Sequence, residues 1–423
     1  MEIKTISIKN FRGIESKLFN FNNRFNVIIG ENAVGKTSLM EAITVGLGGF
    51  VKGLNYKNGR SITKEDIRIT SYKKEIIRAK ESKIDITANL LGSEFSWSRQ
   101  RKFNESLNDL EMYSDVYDFG KHLTSESKSG RFTTLPLISY YGTGRLMKEN
   151  DSEFNPDKTN QRIDGYNKAL NPNSNYKTLL SWFKNTEVSV YKSGKEIDVL
   201  KSVKRAVRNS FEEVETLYFD NDNNLLSILL KGIQTNESKP ISTLSDGQKN
   251  LIGLIGDIAL RCVLLNPHFG ENAHEKTPGI ILIDELDLHL HPNWQKKIVA
   301  ILKKTFPNMQ FIATTHSPFI IQSLKNKELI DLQGKELDTD YINKSIEEIA
   351  SEEMGVEFKR SEIFVEMMEN ATKYYQLLHD NKNQKDETIL SEIKAKLDNY
   401  ELEFNEDPAY VALLKMERRM KGL

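Results

Sequence analysis

The chain has 423 residues, 38% of them hydrophobic and 28% charged, with a formal net charge of −1, which describes a globular chain with room for one α/β domain bearing insertions, or two to three modest ones. Cys262 is the single cysteine, so an intrachain disulfide and a cysteine-ligated zinc cluster are excluded, and with the charges balanced any nucleic-acid contact must come from a local patch. The best apolar run, 251–265, is broken by Asp257 and Arg261, so no membrane span is expected, and without a signal-peptide pattern a cytoplasmic location is the default.

Residues 2–9 alternate polar and apolar, which predicts a half-buried strand. Phe25–Ile29 predicts a second strand, followed by a Gly-rich turn and a short helix over Leu39–Leu47. Strand-like alternation runs from Ile84 to Trp97, and Leu135–Tyr141 is another apolar strand. The first 145 residues therefore read as strand-rich around one early helix. Residues 150–175 are polar and turn-rich, which predicts a loop with marginal helix. Val199–Phe211 is an amphipathic helix with Leu200, Val203, Val207 and Phe211 on its apolar face. Its opposite face carries Lys201, Lys204, Arg205 and Arg208, by default a solvated face and otherwise a candidate DNA contact. Strands at 217–219 and 225–230 flank a hairpin-like turn, and 245–265 is a long apolar helix closed by Asn266-Pro267. Ile280–Ile283 is a fully buried strand type, Pro292–Lys304 a helix with Pro in its first turn, and Phe311–Thr314 the next strand. Strand, helix and strand in that order imply a parallel sheet. The last 80 or so residues are charged, with apolar residues at helical spacing on either side of the polar stretch 380–387. They predict an αα-hairpin and a short terminal helix from about Pro408.

Gly30-Glu-Asn-Ala-Val-Gly-Lys-Thr37 has the P-loop spacing, after a strand and opening a helix. Such a loop wraps a phosphate chain with backbone N–H groups, Asn32 and Ser38 lying in or beside it, while Gly30 and Gly35 allow the turn. Lys36 is placed to reach the β- and γ-phosphates and the Thr37 hydroxyl to ligate Mg²⁺. The buried strand Ile280–Ile283 ends on Asp284 and Glu285. A P-loop ATPase needs a carboxylate there for its Mg²⁺, the role of Asp284, while Glu285 can act as general base toward the attacking water. Leu244-Ser-Asp-Gly-Gln248 opens a helix with a capping-box pattern between Ser245 and Gln248, and a capped helix start is itself an anion site. Thr314-Thr-His-Ser-Pro318 puts His316 just after a strand, in reach of a γ-phosphate. Asp287, His289 and His291 alternate, and on a strand they would share one face like a transition-metal site. The P-loop context instead ends the strand near Asp284 and turns the two histidines into interface or capping residues.

P-loop, Ser245-Asp-Gly-Gln248, Asp284-Glu285 and His316, in that order, resemble the ATP-binding cassette (ABC) ATPases. The opening Ile8-Lys-Asn-Phe-Arg-Gly-Ile14 resembles their SMC/RecF branch. Asp284-Glu-Leu-Asp-Leu-His-Leu-His-Pro292, residues 135–145 and the closing stretch 407–418 are similar to compact anti-phage defence ATPases of Septu and retron systems. The resemblance implies an α/β P-loop ABC-ATPase head over 1–330, with a mixed sheet, an antiparallel β-lobe and a helical lobe. Within it, 1–145 would hold the nucleotide-binding part and β-lobe, 146–215 an inserted helical region, and 216–330 the signature, Walker B and switch histidine; 331–423 would be a C-terminal helical region. It further implies ATP and Mg²⁺ as ligands, Arg12 as a basic residue near the nucleotide, and Ser245, Gly247 and Gln248 contacting the γ-phosphate of a second copy. Head-to-tail dimers or higher even oligomers follow, beside an HNH-type nuclease partner, since this chain carries no nuclease motif. The related alternatives are a RecF-like DNA-repair ATPase and an ATP-bound scaffold restraining a toxin. The chain departs from the branch in having Asp246 where a second glycine is usual, no long coiled coil, and no clear glutamine leading into the helical lobe, a position expected near Tyr141–Arg145.

Overall fold

The computed structural model describes residues 1–355, apart from 32–33, 55–58, 73–74, 105–109, 145–161, 172–175, 194–196, 221, 232–237, 326 and 335–340. Met1–Gly355 is one compact unit; the predicted C-terminal hairpin lies outside the described residues. The strands and helices are β1 (Glu2–Phe11), β2 (Ile14–Asn20), β3 (Phe25–Ile29), α1 (Lys36–Gly53), β4 (Ile69–Tyr72), β5 (Glu75–Arg78), β6 (Glu81–Leu90), β7 (Ser93–Lys102), α2 (Ser114–Lys128) and β8 (Leu137–Tyr141). They continue with α3 (Tyr176–Ser193), α4 (Asp198–Ser210), β9 (Val214–Asp220), β10 (Leu225–Leu230), β11 (Ser238–Pro240), α5 (Asp246–Leu265) and α6 (Ala273–Lys276). The last are β12 (Gly279–Ile283), α7 (Pro292–Thr305), β13 (Met309–Thr314), α8 (Pro318–Gln322), β14 (Leu329–Asp331) and α9 (Ile346–Glu348).

The centre is a five-stranded sheet in the order β14-β3-β13-β12-β8, parallel throughout. Every residue of β3, β8, β12 and β13 is buried, as continuous apolar runs covered on both faces must be. All these strands point the same way, so the loops after β3, β8, β12 and β13 gather at one edge, where ligands of open α/β sheets bind. A four-stranded antiparallel sheet, β2-β1-β6-β7, forms the β-lobe. Helix α1 bridges the two sheets: the Trp97 indole on β7 donates to the Gly46 carbonyl of α1 at 2.8 Å. The apolar face of α4 is buried, as its spacing predicts.

Four local features differ from the sequence reading. The alternation over 84–97 is two strands, because Leu91 (φ 53°) and Gly92 (φ 97°) make a two-residue turn and return the chain antiparallel, pairing Leu90 with Ser93. The first 145 residues hold a second helix, α2, whose polar composition and internal Gly120 weaken its periodicity. Helix α3 fills a stretch, 176–193, to which the sequence pattern assigns no element of its own. Helix α1 runs well past Leu47, through Gly48 and Gly49, because packing against neighbouring elements outweighs the low helix propensity of glycine.

Candidate nucleotide-binding site

The chain leaves β3 at the central edge and turns into α1 through Gly35, whose φ of 111° places it at the left-handed N-cap, a conformation that excludes most side chains. The first turn thus opens toward the same edge with its N–H groups unsatisfied by the helix. Lys36 folds over the loop, its Nζ donating to the carbonyls of Gly30 (2.6 Å) and Glu31 (3.1 Å). Burial lowers the Lys36 ammonium, opposed by the nearby charges of Asp284, Glu285 and Asp287. Ser38 follows, half-buried, in the first turn, and Asn32 lies outside the described residues.

Two strands away, β12 delivers Asp284 to the same edge, buried to 5% exposure. Its Oδ2 accepts from the Thr37 hydroxyl at 3.3 Å, and its Oδ1 from the Thr314 hydroxyl at 2.5 Å. Glu285 is half-buried and sits at φ 50°, a left-handed conformation costing a non-glycine residue about 1–2 kcal/mol. Its backbone N–H donates to the Thr314 Oγ1 at 2.7 Å. One hydroxyl therefore donates to Asp284 and accepts from Glu285, using both capacities of a threonine. The sequence reading missed Thr314; its signal was a polar residue closing the buried strand beside the P-loop strand, with Ala313 paired to Val27 and Thr314 to Ile28.

The stretch after Asp284 is not a strand. β12 stops at Ile283, and positive φ at Glu285 and at His289 (60°) breaks the alternation. Asp287 turns toward the loop after β13, where its Oδ1 accepts from the Thr315 hydroxyl (2.5 Å) and the His316 backbone N–H (3.2 Å). His316 is exposed at that edge. His291 caps α7, its Nδ1 accepting from the Asn293 N–H at 3.3 Å. His289 is exposed, and among the described residues no three His, Cys, Asp or Glu side chains form a metal-holding group.

Ser245 is the N-cap of α5 with the full capping box: its hydroxyl accepts from the Gln248 N–H, and the Gln248 side chain accepts from the Ser245 N–H. Ser245 is exposed. Among the described residues no hydrogen bond joins Ser245, Gly247 or Gln248 to the P-loop of the same chain. The helix start is instead fixed to the loop after β12. A Cβ at Gly247 would lie 2.4 Å from the His289 carbonyl oxygen, and the Asn250 amide donates to the Leu288 carbonyl at 3.2 Å.

Arg12 occupies the β1–β2 turn at φ 48°. Its Nε donates to Asp66 Oδ1 at 2.7 Å and its Nη2 lies 3.8 Å from Glu41 on α1, which also pairs with Arg60. Burial alone would raise the Asp66 carboxyl, but hydrogen bonds from Thr63 and Arg12 outweigh it and hold it below the usual range. The basic face of α4 is largely compensated within the chain. Lys201 pairs with Asp198 (3.0 Å), Lys204 with Glu187 (2.8 Å) and Arg205 with Glu275 (2.5 Å), while Arg208 is exposed.

A glycine-turned helix start, a lysine folded over it, and a hydroxyl and carboxylate meeting at the edge of a parallel sheet define a P-loop nucleotide-binding head. A family model described as an AAA domain matches residues 5–216, half of the chain, and the chain belongs to that family. A second AAA-domain model matches residues 122–322. The chain is 27% identical over 395 residues to the "Retron Ec83 probable ATPase" of Escherichia coli, covering 78% of this chain and 71% of that protein. It is 28% identical over 381 residues to the Septu protein PtuA of Bacillus thuringiensis, covering 86% and 87%. Among solved structures, an SMC head bound to the C-winged helix domain of ScpA matches 78% of this chain and 94% of that one, at 17% identity and a TM-score of 0.48.

Proposed function

We propose that the chain binds and hydrolyses ATP with Mg²⁺, and that ATP-dependent pairing of two heads in a head-to-tail dimer regulates a partner nuclease of the HNH type in anti-phage defence. The observation that carries the reading is the meeting of Thr37 and Asp284, 3.3 Å apart, with Glu285 fixed beside them by Thr314. A hydroxyl and a buried carboxylate at the mouth of a phosphate loop suit a hard, oxygen-seeking cation, so Thr37 and Asp284 would hold Mg²⁺. When bound, the cation supplies neutralisation of the charge that builds on the phosphate oxygens.

The rest follows from this chain's own groups. Backbone N–H groups from Gly30 to Ser38 bind the phosphates, and Lys36 exchanges its two carbonyl partners for phosphate oxygens. Glu285 orients the attacking water and takes its proton, while His316 faces the γ-phosphate from the loop that Asp287 holds. Arg12 lies near the nucleotide from the β1–β2 turn. The exposed capping box of Ser245, with Gly247 and Gln248, faces the γ-phosphate of the second copy, so the nucleotide is enclosed only in the dimer. The likeness to the Septu protein PtuA and the retron ATPase supports the defence setting. DNA contact through α4 would fall chiefly to Arg208, because its three basic neighbours have carboxylate partners.

The test is the pair Lys36→Ala and Glu285→Gln, assayed for ATP binding, phosphate release and mass in solution. Lys36→Ala is expected to lose binding or turnover. Glu285→Gln should bind ATP, hydrolyse it slowly and accumulate as the ATP-bound dimer. Wild-type turnover by Lys36→Ala, or an assembly state of Glu285→Gln that ignores ATP, would overturn the reading.

A further inference from the structure

Tyr141 is the last residue of β8, beside Ile283 in register. Its backbone carbonyl accepts the Asp284 N–H at 2.8 Å. Its side chain leaves the sheet for α5, where the phenol donates to Asp257 Oδ2 at 2.7 Å. The same oxygen accepts from Arg261 Nε at 2.8 Å. Arg261 then donates through Nη1 to the carbonyls of Gly165 (2.8 Å) and Asn167 (2.9 Å). Tyr141, Asp257 and Arg261 are 3%, 3% and 6% exposed.

A buried ion pair of this kind is a poor way to gain stability, since apolar residues of the same volume often do better. It is a good way to fix geometry, because each polar atom admits few partners. Burial, reinforced by the Asp257 charge, pushes the Tyr141 phenol well above its ordinary range, so it stays a donor. The ring therefore ties Asp284 by its backbone to the middle of α5 by its side chain. The N-terminus of that helix is the Ser245 capping box.

We infer that Tyr141 is a positioning residue, which sets the helix carrying Ser245 relative to the strand end carrying Asp284. Its catalytic meaning rests on the proposed function, in which Ser245 serves the second copy's nucleotide and Asp284 the chain's own. A shift at Asp284 then reaches α5 through two hydrogen bonds and one rigid ring. The register of β8 against β12 fixes where that ring starts.

The variant is Tyr141→Phe, which removes one oxygen and keeps the ring. Tyr166→Phe is the control: its phenol is equally buried (1% exposed) and donates to the Pro136 carbonyl at 2.7 Å, not to Asp257. Spin labels at Asp246→Cys and Lys325→Cys, both exposed positions, report where α5 stands relative to the segment leading into β14; Cys262 is buried. In the Tyr141→Phe protein the label-to-label distance distribution should broaden, with ATP affinity kept and kcat lowered about tenfold, the scale of one hydrogen bond to a charged group. The control should match the parent in distance and kcat. A Tyr141→Phe distribution that superimposes on the parent's overturns the proposal, as does equal broadening in the control or an unchanged kcat alongside a broadened distribution. If the parent itself turns over no ATP, the proposed function fails, while the distance arm still decides whether Tyr141 places α5.

Discussion

Thr314→Val replaces a hydroxyl by a methyl of nearly the same shape at the point where the two acidic residues of the site are held. The substitution removes a bond to the buried Asp284 carboxylate (2.5 Å) and one from the Glu285 N–H (2.7 Å). A hydrogen bond to a charged group contributes about 1.5–3 kcal/mol and a neutral one about 1 kcal/mol. Against this, Glu285 can relax from φ 50°, returning about 1–2 kcal/mol of left-handed strain. The net loss of folding stability is about 2 kcal/mol, small enough for the protein to stay folded. The loss of activity is larger, because relaxation of the Glu285 backbone carries its carboxylate off the line of attack, and a displacement of about 1 Å can lower a rate about 100-fold. The assay is steady-state phosphate release beside equilibrium binding of a fluorescent ATP analogue and urea unfolding. Binding should persist while kcat falls, and Thr314→Ser, which keeps the hydroxyl, should stay near the parent. A Thr314→Val protein with parental kcat, or a Thr314→Ser protein impaired as badly, would refute the assigned role.

Gly247→Ala adds a Cβ 2.4 Å from the His289 carbonyl oxygen, a backbone contact that cannot swing away. Overpacking of this kind costs about 1–3 kcal/mol, so urea unfolding should detect it, and ATP-driven dimerisation should weaken; unchanged unfolding would deny the close approach. His274 is buried against Ser202, with Nδ1 2.8 Å from the Ser202 hydroxyl, and burial pushes it down from 6.5 to about 4. A histidine whose folded pKa is depressed binds more protons unfolded, so its contribution is intact above about 6.5 and is lost as pH falls toward about 4. Comparing unfolding free energies near neutral pH and near pH 5 should show a loss that shrinks in His274→Asn; an equal loss in that variant would assign the pH effect elsewhere.

The parts of the head legible from sequence are those whose cause is local. Four buried apolar strands announce themselves because both faces of a parallel sheet are covered. The P-loop spacing is fixed by backbone turning at Gly35, and the Ser245–Gln248 box by one helix turn. Elements set by distant partners were not legible. Helix α2 buries Val116, Gly120, Leu123 and Thr124, positions at helical spacing, but with Gly and Thr at two of them the apolar pattern is too thin to read. The hairpin at Leu91-Gly92 hides in continuous alternation because both strands share the period of two. Thr314 looks like an ordinary polar residue, and Asp287 like one member of an alternating Asp-His-His set, until the sheet order places β13 beside β12.

The stretch Asp284–His291 shows why periodicity alone misassigns chemistry. Alternation matters only while φ stays in the β region, and here it leaves that region at the second residue, Glu285, and again at His289. After those turns each polar group has a separate address: Asp284 faces Thr37 and Thr314, Asp287 faces Thr315 and His316, and His291 caps α7. The loop between them also presses its backbone on the start of α5, through Leu288 to Asn250 and His289 to Gly247. A single eight-residue segment thus touches the P-loop hydroxyl, the His316 loop and the capped helix tip. Under the proposed function these three serve the chain's own nucleotide and the second copy's, so any rearrangement of this loop on hydrolysis is felt at both.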